Sequence, residues 1–118
     1  MKRRVLIEKT NKPKNLKEAI DILTDFLSWE EDIKFLKEND EKTILANMHH
    51  SLGRQIRNEW GLWQPDSEIY QWFKERGIFH ADDMSSIVII SFVRILKKQP
   101  INLKEQLKKH KDFWENNQ

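Results

Sequence analysis

The chain has 118 residues, of which 21 are Lys or Arg and 19 are Asp or Glu, for a formal net charge of +2. It carries no cysteine, which excludes disulfides, thiolate catalysis and cysteine metal sites. Three glycines, three prolines and 34% charged residues argue against a sandwich, a barrel or low-complexity disorder, and the length fits one domain with one core.

Residues 1–14 read as a basic N-terminal arm, with a short apolar piece at Val5-Leu6-Ile7 and a break at Asn11-Lys12-Pro13-Lys14. A single helical domain is expected over 15–118. Asn15-Leu16-Lys17-Glu18 has the form of a capping box, in which Asn15 accepts from a first-turn N–H and Glu18 reaches back to the Asn15 N–H. Leu16, Ala19, Ile20, Leu23, Phe26 and Leu27 follow at helical spacing. Ser28-Trp29-Glu30-Glu31 is a second box, so a kink near Ser28 and a short helix with Ile33, Phe35 and Leu36 are predicted. Asn39-Asp40 caps a third helix, whose stripe runs without interruption through Ile44, Leu45, Met48, Leu52, Ile56 and Trp60 to Gly61.

Gly61 is placed to take the left-handed conformation just past that helix, with Leu62 folding back in a Schellman ending. Asp66 is the expected cap of a fourth helix carrying Ile69, Tyr70, Trp72 and Phe73, with a second ending of the same kind at Gly77-Ile78. His80-Ala81-Asp82-Asp83 opens a fifth. From Met84 to Leu96 it is apolar almost all round, which places a helix near 81–98 at the centre of a bundle. Pro100 stops it, and Asn102-Leu103-Lys104-Glu105 caps a last helix that turns Leu107, Phe113 and Trp114 inward and leaves His110 on a wet, lysine-rich face. Asn-Leu-Lys-Glu thus occurs twice, which convergent capping chemistry explains better than duplication. The fold class is all-α, a compact bundle of five or six helices.

Both ends of the chain are basic around an acidic first third. Solvated helix faces account for this pattern. A nucleic-acid footprint is the sharper alternative, disfavoured by the small total charge and the absence of a recognised binding motif. The apolar run at 84–96 falls short of the ~20 residues that span a bilayer, and the start lacks a secretory apolar region of about 7–15 residues. A soluble cytoplasmic protein without membrane contact is expected.

Gly53 finishes no helix. Inside the third helix it costs about 1 kcal/mol relative to Ala, and close approach of another group is the usual compensation. Ser85 and Ser86, small residues at the start of the central helix, are the predicted neighbours.

Two blocks of sequence stand out: Leu52-Gly53-x-x-Ile56-Arg57-Asn58-x-Trp60-Gly61-Leu62-Trp63, and Gly77-Ile78-x-His80-x-Asp82-Asp83-Met84-Ser85. Together they resemble a small bacterial and phage-associated helical domain of unknown function. The resemblance covers roughly residues 45–95 and transfers no activity. It directs attention to the polar residues inside the blocks.

If Gly53 touches the start of the central helix, one cluster gathers His50, Arg54, Arg57 and Asn58 with His80, Asp82 and Asp83. Three readings compete. In the first the cluster is structural, with Arg57 paired to Asp82 or Asp83 and the acids placed at a positive helix start. In the second it binds an anion or nucleotide through His50, Arg54 and Arg57, with an exposed Trp60 or Trp63 stacking a base or packing a partner. In the third, two carboxylates and histidines support a metal-dependent hydrolase acting on a phosphorylated substrate. No complete catalytic motif, phosphate loop or dinucleotide signature is present. A binding, interaction or regulatory module without a metal or cofactor is therefore expected. Its partner is a protein or a small phosphorylated ligand, and the oligomeric state stays open.

Overall fold

Seven α-helices follow one another in the computed structural model, which describes residues 12–27 and 30–117: α1 (Leu16–Phe26), α2 (Glu30–Glu38), α3 (Glu41–Met48), α4 (Leu52–Glu59), α5 (Glu68–Lys74), α6 (Ala81–Leu96) and α7 (Leu103–Asn116). The described residues contain no strand. The all-α expectation holds, with seven helices in place of five or six. Most of the arm, and the box at Ser28-Trp29, lie outside the described residues.

α6 is the centre, packed against α1, α2, α3, α4 and α7. Met84, Ile87, Val88, Ile89, Ile90, Phe92 and Val93 are all buried, from every side of the helix. Each such side chain contributes about 1.5–3 kcal/mol by leaving water. The remaining helices present one apolar stripe each, such as Leu16, Ala19, Ile20 and Leu23 of α1. Two serines on α6 are buried as well. Ser91 accepts from Gln106 Nε2 at 3.1 Å, so the one buried residue of α7 is a glutamine.

The extra helix arises because the third predicted helix is broken. Ser51 takes φ −115° and ψ −93°, and its N–H donates to Met48 O (3.1 Å) in a tight turn. The apolar stripe continues across the break, with Met48, Leu52, Ile56 and Trp60 all buried, which is why periodicity alone does not reveal it. α4 ends as predicted: Gly61 has φ +70° and the Leu62 N–H donates to Arg57 O at 3.0 Å. Gly77 and Ile78 repeat the ending on α5, with Ile78 N–H donating to Phe73 O at 3.0 Å.

Three caps differ from expectation. Asn15 accepts from Glu18 N–H at 2.9 Å, but Glu18 Oε1 accepts from the Lys14 N–H, not from Asn15. Ser67, not Asp66, caps α5 through Tyr70 N–H. Asn102 stands at the start of α7 in the left-handed region (φ 51°) and makes no side-chain cap bond. Lys98, also left-handed at φ 59°, turns the chain out of α6, with Gln99 N–H donating to Arg94 O.

Arg94 then ties the C-terminal end of α6 to its surroundings. Its guanidinium makes a two-pronged pair with Glu41 (2.8 and 3.0 Å) and donates to Ile101 O at 2.7 Å. The hydrogen bond from Arg94 holds the Glu41 carboxyl below its ordinary range.

Candidate functional site

The predicted polar cluster divides into a sealed part and an open part. Arg57 forms the sealed part. Its side chain is 7% exposed. Nη1 donates to Ser85 Oγ (3.2 Å), Nη2 donates to His49 O (3.0 Å), and Nε lies 3.3 Å from Asp82 Oδ1. One guanidinium therefore satisfies a carbonyl left free by the break between α3 and α4, and joins that break to the first turns of α6. Ser85 also donates to Asp82 O at 3.0 Å.

The atoms nearest the Cβ position of Gly53 belong to Arg57 and Met48, not to Ser85 or Ser86 of α6. A Cβ on Gly53 would stand 2.9 Å from Arg57 Nη1 and 3.2 Å from Met48 O. The missing side chain makes room for the guanidinium, and the contact with Ser85 passes through Arg57.

The other cluster members scatter. Trp60 is fully buried, so it belongs to the core and offers no surface for stacking; its Nε1–H has no acceptor among the described residues. His50 and Arg54 are exposed, and the His50 ring stands edge-to-face with that of His49, at 4.7 Å between centroids. Neither lines the open part.

The open part is a cleft of about 360 Å³ at the start of α6, walled by Trp63, Tyr70, Phe79 and Trp114, with Asp82 and Asp83 at its floor. Trp63 is 60% exposed, Phe79 55% and Trp114 39%. Trp63 Nε1 donates to Asn58 Oδ1 at 3.2 Å, which fixes the indole at the rim. His80 stacks on Trp114, with ring centroids 3.7 Å apart and planes 19° from parallel. A second cleft, lined by Gly77, Phe79, His80, Lys111, Trp114 and Glu115, adjoins the first and shares Phe79, His80 and Trp114 with it.

α7 supplies residues that sequence reasoning missed. Trp114 Nε1 donates to Asp83 Oδ2 at 2.7 Å, and His110 Nδ1 lies 3.0 Å from Asp83 Oδ1. His110 is thus half-buried rather than a wet surface residue, and Phe113 and Trp114 face outward rather than into the core. The readable signal was their spacing: His110 and Trp114 are four apart and share a helix face. Burial alone would raise the Asp83 carboxyl, but hydrogen bonds from His110 and Trp114 and the nearby charges of His110 and His80 outweigh it and hold it below its ordinary range.

That direction fixes a pH dependence. A depressed carboxyl stabilises the fold above its unfolded value, near 3.8 for Asp, and the contribution disappears as pH falls through the lower folded value. Unfolding free energy from the Asp83 carboxylate is expected to be present above the unfolded value and to fall below about pH 4. Asp83→Asn should cost about 1 kcal/mol at pH 7 and flatten the acid limb. Urea titrations at pH 7, 5, 4 and 3 check this; an unchanged acid slope in the variant would remove Asp83 as its source.

A larger groove of about 800 Å³ runs between α3, α6 and α7, but its main polar groups are engaged within the fold: Arg94 with Glu41, and Gln106 with Ser91. Among the described residues no three His, Asp or Glu side chains stand close enough to hold a metal ion. None of the described helices is long and apolar enough to cross a membrane.

The class these features define is an all-helical protein with an aromatic-walled cleft at the start of its central helix. The chain belongs to the family described as Domain of unknown function (DUF6794), which matches residues 12–96. Comparison with curated proteins and with solved structures found no match. The family region contains Arg57, Trp63, Phe79 and Asp82; α7, with Trp114, lies beyond it.

Proposed function

We propose that the protein is a binding module that receives a ligand group in the cleft at the start of α6. One observation carries this reading: Trp63, Phe79 and Trp114, three large aromatic side chains, stay 39–60% exposed around a single concavity. Scattered exposed apolar residues are ordinary; several around one cleft mark a binding surface, and Trp is enriched among side chains that carry binding energy. The cleft's volume lies within the range of small-ligand sites. It would equally seat one side chain of a protein partner. A phosphate ligand would need Arg57, which is occupied by Ser85, His49 O and Asp82. The bacterial and phage-associated sequences that the two motif blocks resemble are consistent with a small accessory factor of this kind.

Amide shifts in nuclear magnetic resonance spectra of the full chain, titrated with a set of small cationic, neutral and anionic fragments, test the reading. Shifts should concentrate at residues 61–63, 79–83 and 114. Shifts confined to the groove between α3 and α7, or none at all, would overturn it.

A further inference from the structure

We infer that the cleft takes a substituted ammonium group, either of a free amine or of a lysine side chain in a peptide; the inference rests on the cleft being a binding site. Its lining combines aromatic side chains with carboxylates. Trp63, Tyr70, Phe79 and Trp114 supply four aromatic rings, Asp82 and Asp83 supply negative charge, and among the described residues no Lys or Arg side chain lines it. Aromatic faces carry negative potential at their centres and attract a cation held within about 6 Å, most strongly when the ring is that of Trp.

The two carboxylates differ in availability. Asp83 is committed to His110 and Trp114. Asp82 is engaged on one side only: its Oδ1 lies 3.3 Å from Arg57 Nε, yet 62% of its side chain remains exposed at the cleft. The only other titratable groups at the lining are His80, whose ring is stacked on Trp114, and Tyr70. The start of a helix ordinarily favours anions, but here Asp82 and Asp83 both sit in the first turn and offset that field. An incoming phosphate or carboxylate would meet the carboxylates of Asp82 and Asp83, with the stacked His80 ring as the one basic side chain among the described residues of the lining. An ammonium group would meet one exposed carboxylate and several rings.

The neighbouring cleft, which shares Phe79, His80 and Trp114, contains Lys111 and Glu115, whose opposite signs confer no such preference. The selectivity therefore belongs to the side that Trp63 and Asp82 share. Asn58 acts there as a positioning residue, because it holds the Trp63 indole through Nε1.

Four probes distinguish the outcomes when titrated into the full chain and followed by tryptophan fluorescence and amide shifts: choline chloride, Nα-acetyl-lysine methylamide, 3,3-dimethylbutanol as the uncharged isostere of choline, and inorganic phosphate. Choline is expected to bind about tenfold more tightly than its isostere, with shifts at Trp63, Phe79 and Asp82. A stronger response to the lysine amide than to choline assigns the site to peptides, and the reverse assigns it to small amines; either supports the inference. Trp63→Ala should weaken choline about fivefold with an unchanged melting temperature, since its side chain is mostly in solvent. Asp82→Asn should weaken choline but not the isostere. Equal binding of choline and its isostere, or binding of phosphate in the cleft, overturns the cation inference while leaving a binding site in place. If no probe moves any resonance of the cleft, both readings fall.

Discussion

Replacing Arg57 with alanine is expected to destabilise the fold by about 2–3 kcal/mol, lowering the melting temperature by roughly 8–12 °C for a chain of this size. The ion pair contributes least to that figure. Asp82 is largely in solvent, so its attraction to the guanidinium is screened and is worth well under 1 kcal/mol. The loss comes from the buried end. Without Nη2, His49 O faces the interior unpaired at the break between α3 and α4. Without the guanidinium, the space beside Gly53 and Ser85 becomes a void. Ser85 keeps its bond to Asp82 O and softens the effect. Arg57→Lys should give an intermediate loss, because one ammonium cannot reach three acceptors spread over a planar fork. Circular dichroism during heating and urea titration measures both variants. An Arg57→Ala protein that melts within about 2 °C of the parent would mean that this side chain is held in reserve for a ligand, the anion-binding alternative that the sequence left open.

The helices were legible because local chemistry decides them. Stripe spacing set α1, α5 and α6, and two glycine endings fell where a left-handed residue was needed. What escaped was decided at a distance. The break at His49–Ser51 leaves the apolar stripe intact and is stabilised by a side chain eight residues away in sequence, so no local pattern marks it. The two copies of Asn-Leu-Lys-Glu make the same point. The first caps α1 through Asn15, whereas the second follows the left-handed exit from α6 and makes no side-chain cap bond. Trp60 and Trp63 lie three apart and look interchangeable in sequence, yet one falls within α4's buried stripe and the other beyond Gly61, where the chain has turned outward. Trp114 reads as a core residue from its aromatic ring alone. Its partners, His80 and Asp83, stand 34 and 31 residues away, and only the docking of α7 on α6 brings the three together.

Gly53→Ala tests the same junction from the opposite side, and the sign of its effect is the informative quantity. Alanine gains up to about 1 kcal/mol over glycine inside a helix, and less in a first turn, where the break at Ser51 places Gly53. Here the added methyl would stand 2.9 Å from Arg57 Nη1 and 3.2 Å from Met48 O. The first neighbour ends a flexible side chain, but one anchored to Ser85 and His49 O, and moving it endangers two hydrogen bonds worth about 1 kcal/mol each. The second is backbone at the end of α3 and has little freedom to move. The expected net result is a loss of about 1–2 kcal/mol despite the better helix former. In an Arg57→Ala background the first obstacle is gone, and the same substitution should become neutral or mildly stabilising. The cycle formed by the two single variants and the double variant should therefore show a coupling of at least about 1 kcal/mol. A Gly53→Ala protein more stable than the parent, with no coupling to Arg57, would show that the glycine is not kept clear for the guanidinium, and the physical link between the broken helix and the floor of the cleft would have to be sought elsewhere.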